Sequence, residues 1–353
     1  MSGGVDSSVA AALLTKSNLI AQGVTLKLFE NADAGIDSEK ACCSLQDAED
    51  ARQVCLSLGI PHFIYNFSRT FGKDVIDRFC DSYLAGETPN PCIDCNRYVK
   101  FAALQQRRSE LGIDYVATGH YARRTWDEQS GRFLLKCGLD SNKDQSYVLY
   151  HLTQDTLAHM LFPLGELTKP QVRVIASEYG FDNASKAESQ DICFVPDGDY
   201  PSFIERRRDC RFEEGEIVDR QGNVLGIHHG LAAYTIGQRK GIGVAAAEPL
   251  YVFAKDTAHN RLVVDVASNV LCHGVLVRDA NFIACESIDE PLRCTCKTHY
   301  RQSPRACTMV QTDSTSLRIT FDEPQRACAP GQAAVAYAND TVICGGTIDS
   351  VIA

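Results

Sequence analysis

The first half of this 353-residue chain reads as an α/β domain with a parallel sheet covered on both faces, and the second half as β-rich, a small domain followed by a barrel. Three observations support that reading. Strand and helix periods alternate from the N-terminus to Gly119. From about residue 206 short alternating segments separated by turn signals take over. The composition, 44% apolar and 23% charged with 25 Gly and 12 Pro, is that of an ordinary globular protein of two or three domains and excludes disorder, collagen and coiled coil.

In chain order, Val9, Leu13 and Leu14 sit at helical spacing after a Gly-Gly turn, and Val24, Leu26 and Leu28 alternate as a strand does. Leu45, Ala48, Ala51, Val54, Cys55 and Leu58 mark a second helix, stopped by Gly59 and followed by an apolar strand over 60–67. Val75, Ile76, Phe79 and Tyr83 mark a third helix, Tyr98, Phe101 and Leu104 a fourth, and 114–119 a further strand. Strand then helix, repeated, implies parallel pairing with crossover helices on the faces. In the second half, strands are expected at 216–219, 251–255, 262–265, 275–278, 293–297, 317–321, 333–337 and 341–344, with turns such as Gln221-Gly222-Asn223 and Pro330-Gly331-Gln332 between them. The domains expected from this texture are 1–205, 206–268 and 269–353.

No stretch approaches the roughly 18–20 apolar residues of a membrane span, and no secretory or transit segment precedes Met1, so a cytoplasmic location is expected and no membrane partner. The 16 cysteines are then expected as thiols. Charge gives 35 minus 45, or −10, so a polyanionic partner must be gripped by local basic surface, for which Arg206-Arg207-Arg208, Arg239-Lys240, Arg123, Lys143, Arg301 and Arg305 are the candidates.

Ser2-Gly3-Gly4-Val5-Asp6-Ser7-Ser8 is the most informative segment. Two glycines let the backbone approach a phosphate, hydroxyls at 2, 7 and 8 and the amides of a starting helix supply donors, and Asp6 suits the Mg²⁺ that accompanies a triphosphate. The absence of a Walker lysine argues against γ-phosphoryl transfer and for pyrophosphate binding with AMP release. Cys92-Ile93-Asp94-Cys95 follows Thr88-Pro89-Asn90-Pro91 and precedes a helix, and a thiol at a helix start with Arg97 near is expected to have a depressed pKa. No second CxxC or HxxxH completes a zinc site. Cys294-Thr295-Cys296 alternates along a strand, so both side chains share one face and read as packing. Cys55, Cys80, Cys137 and Cys344 read as small buried hydrophobes.

These segments, with Cys42-Cys43-Ser44, Asp47 to Asp50, Ala117-Thr118-Gly119-His120-Tyr121-Ala122-Arg123, Lys143-Asp144-Gln145-Ser146-Tyr147, Ser189-Gln190-Asp191-Ile192-Cys193-Phe194 and Tyr234-Thr235-Ile236-Gly237-Gln238-Arg239-Lys240-Gly241, make the chain resemble the PP-loop ATP pyrophosphatases, and among them the tRNA 2-thiouridylase family, over nearly its whole length. The resemblance implies an adenine nucleotide alpha hydrolase-like sheet domain, a small β-rich central domain and a C-terminal β-barrel. Members of the family carry an apolar strand leading into the Ser-Gly-Gly loop; here Met1 directly precedes Ser2, and the expectation is a start assigned too late, the alternative being a sheet that lacks its central strand at a cost in ATP affinity.

By resemblance, Cys95 matches the catalytic nucleophile and Cys193 the persulfide carrier, while Cys92 stands where many members have Asp. Two accounts stay open. In one, Cys193 accepts a persulfide and Cys95 closes a disulfide with it as sulfur leaves. In the other, Cys92, Cys95 and Cys193 hold a 4Fe–4S cluster with one open iron. The resemblance further places ATP at Ser2 to Ser8, Leu26 (in the position of a nucleotide-contacting Met) and Gly119, and tRNA at Asn90, Pro91, Cys92, His120, Lys143, Asp144, Gln145, His299 (an Arg in some relatives), Tyr300 and Gln332. It implies 2-thiolation of the wobble uridine of Lys, Glu and Gln tRNAs, with AMP and pyrophosphate as products and sulfur from a cysteine desulfurase or a relay protein. Two rivals stand beside it: a PP-loop ligase or amidotransferase attacking with nitrogen, which needs neither Cys95 nor Cys193, and a catalytically impaired Fe–S or RNA-binding module.

Overall fold

The computed structural model describes residues 1–17, 19–29, 45–186, 192–326 and 328–352. The chain forms two compact units, Met1–Ile76 with Pro91–Gly198 and Asp340–Val342, and Asp77–Asn90 with Asp199–Asn339 and Ile343–Ala353.

In the first unit, helix α1 (Val5–Lys16) leads to β1 (Gly23–Lys27), and α2 (Leu45–Ser57) precedes β2 (His62–Asn66). The two strands pair in parallel, Gly23 opposite His62 and Lys27 opposite Asn66, as the strand-helix-strand pattern requires. A second parallel pair joins β3 (Val116–Ala117) to β6 (Met160–Leu161). The parallel strands thus stand as two pairs, and among the described residues no strand leads into Ser2. Met1 itself lies against β1: its amino group donates to the Val24 carbonyl, and Thr25 Oγ1 donates to the Met1 carbonyl at 2.9 Å. Between β3 and β6 in the chain runs a hairpin absent from the sequence reading, β4 (Ala122–Asp127) with β5 (Arg132–Cys137). Its outer strand, Arg123-Arg124-Thr125-Trp126, is too polar to give an apolar signature, and Gly131 at φ +64° makes the turn.

The core of this unit joins Val5, Val9, Ala10 and Ala12 of α1 to Val54 of α2 and to Val172 and Ala176 of α3 (Lys169–Glu178), with Tyr121, Leu164 and Phe181. Alanines at the contact let α1 and α3 approach closely, which brings the start of each helix near the other. Helix α3 starts cleanly because the Thr168 amide donates to Gln171 Oε1 at 2.8 Å and Pro170 occupies its first turn.

Two helical segments depart from expectation. The third runs as Ser68–Phe71, a π-helical Gly72–Asp77 and Arg78–Leu84, and the fourth as Pro91–Asp94, a nine-residue π-helical Cys95–Ala103 and an α-helical Leu104–Glu110.

The second unit holds a four-stranded sheet, order β8-β7-β10-β9, from β7 (Gly215–Val218), β8 (Val224–His228), β9 (Leu250–Asp256) and β10 (Arg261–Val266), packed around Ile217, Tyr234, Ile242, Val252, Leu262 and Val264. It also holds a closed six-stranded barrel: β11 (Leu271–Phe282), β12 (Leu292–Lys297), β13 (Arg305–Asp313), β14 (Ser316–Arg326), β15 (Ala333–Ala338) and β16 (Thr341–Ile352), order β11-β14-β13-β12-β15-β16 with β16 returning to β11. Closure removes the sheet edges. Strands β8 and β13 escape the sequence reading because their apolar residues alternate with Gly, Thr and Gln and form no run. No described helix is long and apolar enough to cross a membrane.

Candidate active site

The phosphate loop is shaped for close approach. Gly3 sits at φ +70°, where a Cβ would lie 2.4 Å from the Asp47 carbonyl oxygen. A Cβ on Gly119 would lie 2.9 Å from the Ser7 nitrogen, so this glycine packs directly on the loop. Gly4 is the extended N-cap of α1, and among the described residues no side chain caps the first-turn amides, which leaves them aimed at an incoming anion. Ser7 and Ser8 hydroxyls donate to the Gly4 carbonyl at 3.0 and 3.1 Å, the Ser2 amide donates to Ser7 Oγ at 3.1 Å, and Asn183 Nδ2 donates to the Gly3 carbonyl at 3.0 Å. Donors and glycines together fit a nucleotide's phosphates. Leu26, half-buried in β1, lies opposite Tyr65 of β2.

Two lysines that no local pattern reveals meet this loop. Lys169, at the start of α3 and buried, donates to both carboxylate oxygens of Asp6 at 2.7 and 2.8 Å, and Tyr121 donates its hydroxyl to Asp6 Oδ1 at 2.7 Å. Lys186 donates to Asp47 at 2.6 Å and Asp50 at 2.7 Å. Burial works against the Lys186 ammonium, but those two carboxylates hold its pKa above the usual lysine value. The missing Walker lysine is the sequence clue that basic groups must come from elsewhere. The expectation for Asp6 changes accordingly: its carboxylate is already neutralised, and a Mg²⁺ ion there must share it with Lys169 or displace that ammonium.

The cysteine segment differs from expectation in one respect. Cys92 is exposed on the short helix Pro91–Asp94, whereas Cys95 opens the π-helix that continues it and is buried. Burial pushes the Cys95 thiol up to about 11, against the pull of Lys100. Desolvation of the thiolate outweighs the helix start and Arg97, so the depressed pKa is not found. The i to i+5 geometry of a π-helix puts Lys100 one turn from Cys95. Phe101 of the same helix lies 5.8 Å from the ring of His120 and 5.9 Å from that of His151. Burial pushes both imidazoles down to about 3, so His120 faces any partner as a neutral ring, its Nδ1 within 2.9 Å of Thr118 Oγ1.

Cys193 is half-buried, and its neighbour Phe194 is anchored edge-on against Phe71, 5.7 Å between centroids. Cys92, Cys95 and Cys193 all belong to the first unit. Among the described residues no group of three or more His, Cys, Asp or Glu side chains is arranged to hold a metal. Cys42, Cys43 and Ser189 to Asp191 lie outside the described residues. Cys55, Cys80 and Cys344 are buried as expected; Cys137 is only half-buried.

The residues read as tRNA contacts fall in both units. In the first, Asp144 accepts from the amides of Gly138 and Ser146, both at 3.1 Å, and Gln145 Oε1 accepts from the Tyr121 amide at 3.0 Å, so these two side chains hold their own loop beside half-buried Lys143. Tyr121 thereby touches both Asp6 and Gln145. Pro91 is buried at the start of its short helix. In the second unit, Gln332 Nε2 donates to the Thr88 carbonyl at 2.8 Å, next to Asn90, and half-buried His299 precedes exposed Tyr300. The basic runs are partly consumed: Arg207 and Arg208 bind Asp77 and Asp81 of the second unit, and Arg123 binds Asp340 at 2.7 Å. Arg239, Lys240, Arg301 and Arg305 stay exposed.

Comparison with known proteins identifies the family. The family described as tRNA methyl transferase HUP domain matches residues 1–197, the tRNA methyl transferase PRC-barrel domain residues 202–265, and the aminomethyltransferase beta-barrel domain residues 272–348. A tRNA-specific 2-thiouridylase MnmA of Moorella thermoacetica is 49% identical over 351 residues, covering 99% of this chain and 98% of that protein. One from Heliobacterium modesticaldum is 47% identical over 350 residues, covering 99% and 91%. Among solved structures, the U34-tRNA thiolase NcsA from Methanococcus maripaludis with its 4Fe–4S cluster aligns at a TM-score of 0.33 and 19% identity over 59% of this chain and 68% of that one, too distant to bear on fold or cofactor. Identity at this level over the whole length places the chain in the tRNA-specific 2-thiouridylase family.

Proposed function

We propose that this chain catalyses the ATP-dependent 2-thiolation of a tRNA uridine. The observation that carries the reading is the uncapped helix start framed by Gly3 and Gly119, in the same unit as Cys95 and Cys193. A uracil C2 oxygen is a poor leaving group; moving AMP from ATP onto it makes a phosphate leaving group and an electrophilic carbon. The amides of α1 and the serines of the loop hold the pyrophosphate that departs, Lys169 and Lys186 offset the carboxylates of Asp6, Asp47 and Asp50 that would otherwise repel it, and Mg²⁺ would screen the phosphates when bound.

Sulfur then enters as a persulfide on Cys193, delivered by a cysteine desulfurase or relay protein. The terminal sulfur of the persulfide attacks C2 and AMP leaves. Cys95 attacks the Cys193 sulfur, breaking the S–S bond to the base, which keeps its sulfur while a Cys95–Cys193 disulfide forms. At a pKa of about 11 the Cys95 thiolate is scarce at neutral pH, on the order of one molecule in 10⁴, so its burial keeps it unreactive until the site is engaged. The nucleobase is the wobble uridine of Lys, Glu and Gln tRNAs, extruded from its stack and met by Asn90 to Cys92 and His120, with Lys143 to Gln145, His299, Tyr300 and Gln332 on the surrounding RNA. Residues 1–205, 206–268 and 269–353 divide the work between nucleotide chemistry, linkage and RNA contact.

The test is mass spectrometry of tRNA nucleosides after incubation with ATP, Mg²⁺ and a persulfide source. Cys95→Ser and Cys193→Ser are expected to abolish 2-thiouridine while leaving tRNA-dependent exchange of ATP with pyrophosphate, and Cys92→Ser to retain both. Undiminished 2-thiouridine in the first two variants overturns the mechanism.

A further inference from the structure

The barrel interior is unusually rich in sulfur: Cys272, Cys296, Cys307, Met309, Cys328 and Cys344 all belong to its core. One pair differs from the rest. Cys294 of β12 and Cys307 of β13 are directly opposed in the antiparallel ladder, and their sulfurs are 3.5 Å apart. Opposed residues in such a ladder have Cα atoms about 4.5–5.5 Å apart, inside the window of about 4.4–6.8 Å that a disulfide accepts. Side-chain rotation alone therefore brings the sulfurs to bonding distance. The two thiols are also unequal. Cys307 is fully buried, whereas Cys294 is half-buried and follows Arg293 in sequence. The hydrogen bond from Cys307 and then the charge of Arg293 hold the Cys294 thiol below its usual value; the same hydrogen bond and burial raise Cys307. The proton is held more tightly on the buried partner, and the reachable sulfur is the more readily ionised of the two. Cys272 and Cys328 also share a side-chain hydrogen bond, but at 3% and 2% exposure both are closed to reagents.

We propose that Cys294 and Cys307 are a dithiol oxidation site, which a hydroperoxide converts to a disulfide across the base of the loop between β12 and β13. The Cys294 thiolate attacks one peroxide oxygen, the O–O bond breaks, and Cys294 becomes a sulfenic acid as hydroxide leaves and takes up a proton. The Cys307 sulfur then attacks Cys294, the S–O bond breaks and water leaves. Two thiols lose two electrons, and hydrogen peroxide is reduced to two waters. The bond closes a ring containing residues 298–304, the loop that bears His299, Tyr300 and Arg301. This chemistry uses none of Cys92, Cys95 or Cys193 and stands or falls independently of tRNA thiolation.

The experiment treats the full chain with hydrogen peroxide, alkylates remaining thiols in denaturant and maps peptides by mass spectrometry. The expected result is a cross-linked peptide pair holding 294 and 307, lighter than its parts by two hydrogens and split by dithiothreitol, with Cys272 and Cys328 recovered alkylated. Amide exchange over 298–304 is slower in the oxidised form. In Cys307→Ser, Cys294 stops as a sulfenic acid that dimedone traps. Recovery of 294 and 307 both alkylated, at a peroxide dose that oxidises exposed Cys92, overturns the proposal, as does a disulfide from Cys294 to any other cysteine.

Discussion

The pair Asp6 and Lys169 offers a quantitative test of how the phosphate loop is held. Lys169→Met removes two charge-assisted hydrogen bonds of 2.7 and 2.8 Å and leaves the Asp6 carboxylate with the Tyr121 hydroxyl. Breaking a wholly buried pair costs about 3–5 kcal/mol. Here the Lys169 side chain is 8% exposed but that of Asp6 is 31% exposed, so solvent and Tyr121 recover part of the loss. We expect a cost of about 2 kcal/mol, or about 4–8 °C in melting temperature for a unit of this size. Asp6→Asn strands the buried ammonium instead and is expected to cost a similar amount. The double variant Asp6→Asn with Lys169→Met removes both charges, so its loss falls below the sum of the singles by about 2 kcal/mol. Urea titrations of the four proteins measure this coupling. Additive losses, with coupling below about 0.5 kcal/mol, would refute the claim that the two charges bind each other in solution.

Gly3→Ala or Gly119→Ala places a methyl 2.4 Å from the Asp47 carbonyl oxygen or 2.9 Å from the Ser7 nitrogen, and each is expected to abolish exchange of ATP with pyrophosphate while the circular dichroism of the barrel is retained. Alkylation of Cys95 by iodoacetamide is expected to accelerate about tenfold per pH unit from pH 7 to 10, since its thiol titrates at about 11; a plateau below pH 9 contradicts the burial argument. Lys255, its amine buried and without a hydrogen-bond partner among the described residues, is pushed down to about 8 by desolvation. Its folded pKa lies below the unfolded value, so the buried charge costs stability in full below pH 8, and the cost fades as pH rises toward 10.5. Lys255→Met should therefore raise stability by about 3 kcal/mol at pH 7 and by little above pH 10.5, read from denaturant midpoints across that range.

What could be read in advance was local. The heptapeptide Ser2 to Ser8 announces an anion cradle because its glycines, hydroxyls and helix start are contiguous. Helices α1 and α2 and most barrel strands follow from residues a few positions apart, and the alternation of Cys294 and Cys296 identifies a packed strand face. Family resemblance adds roles for Cys95 and Cys193 that spacing alone leaves open between persulfide and cluster.

What tertiary structure decided depends on distance and burial. Lys169 and Lys186 lie more than 160 positions from the loop residues they meet, and only the packing of α1 on α3 brings the first of them to Asp6. Cys95 has the sequence context of an activated thiol, yet its pKa moves the other way because desolvation is set by the atoms around a group and not by its neighbours in the chain. Arg207 and Arg208 look like an RNA-facing run until Asp77 and Asp81 arrive to pair with them. Strands β8 and β13 are stabilised by partners across the sheet more than by their own composition. Short-range periodicity is written in neighbouring residues; ion pairs, solvation and cross-strand sulfur contacts exist only after the chain has closed on itself.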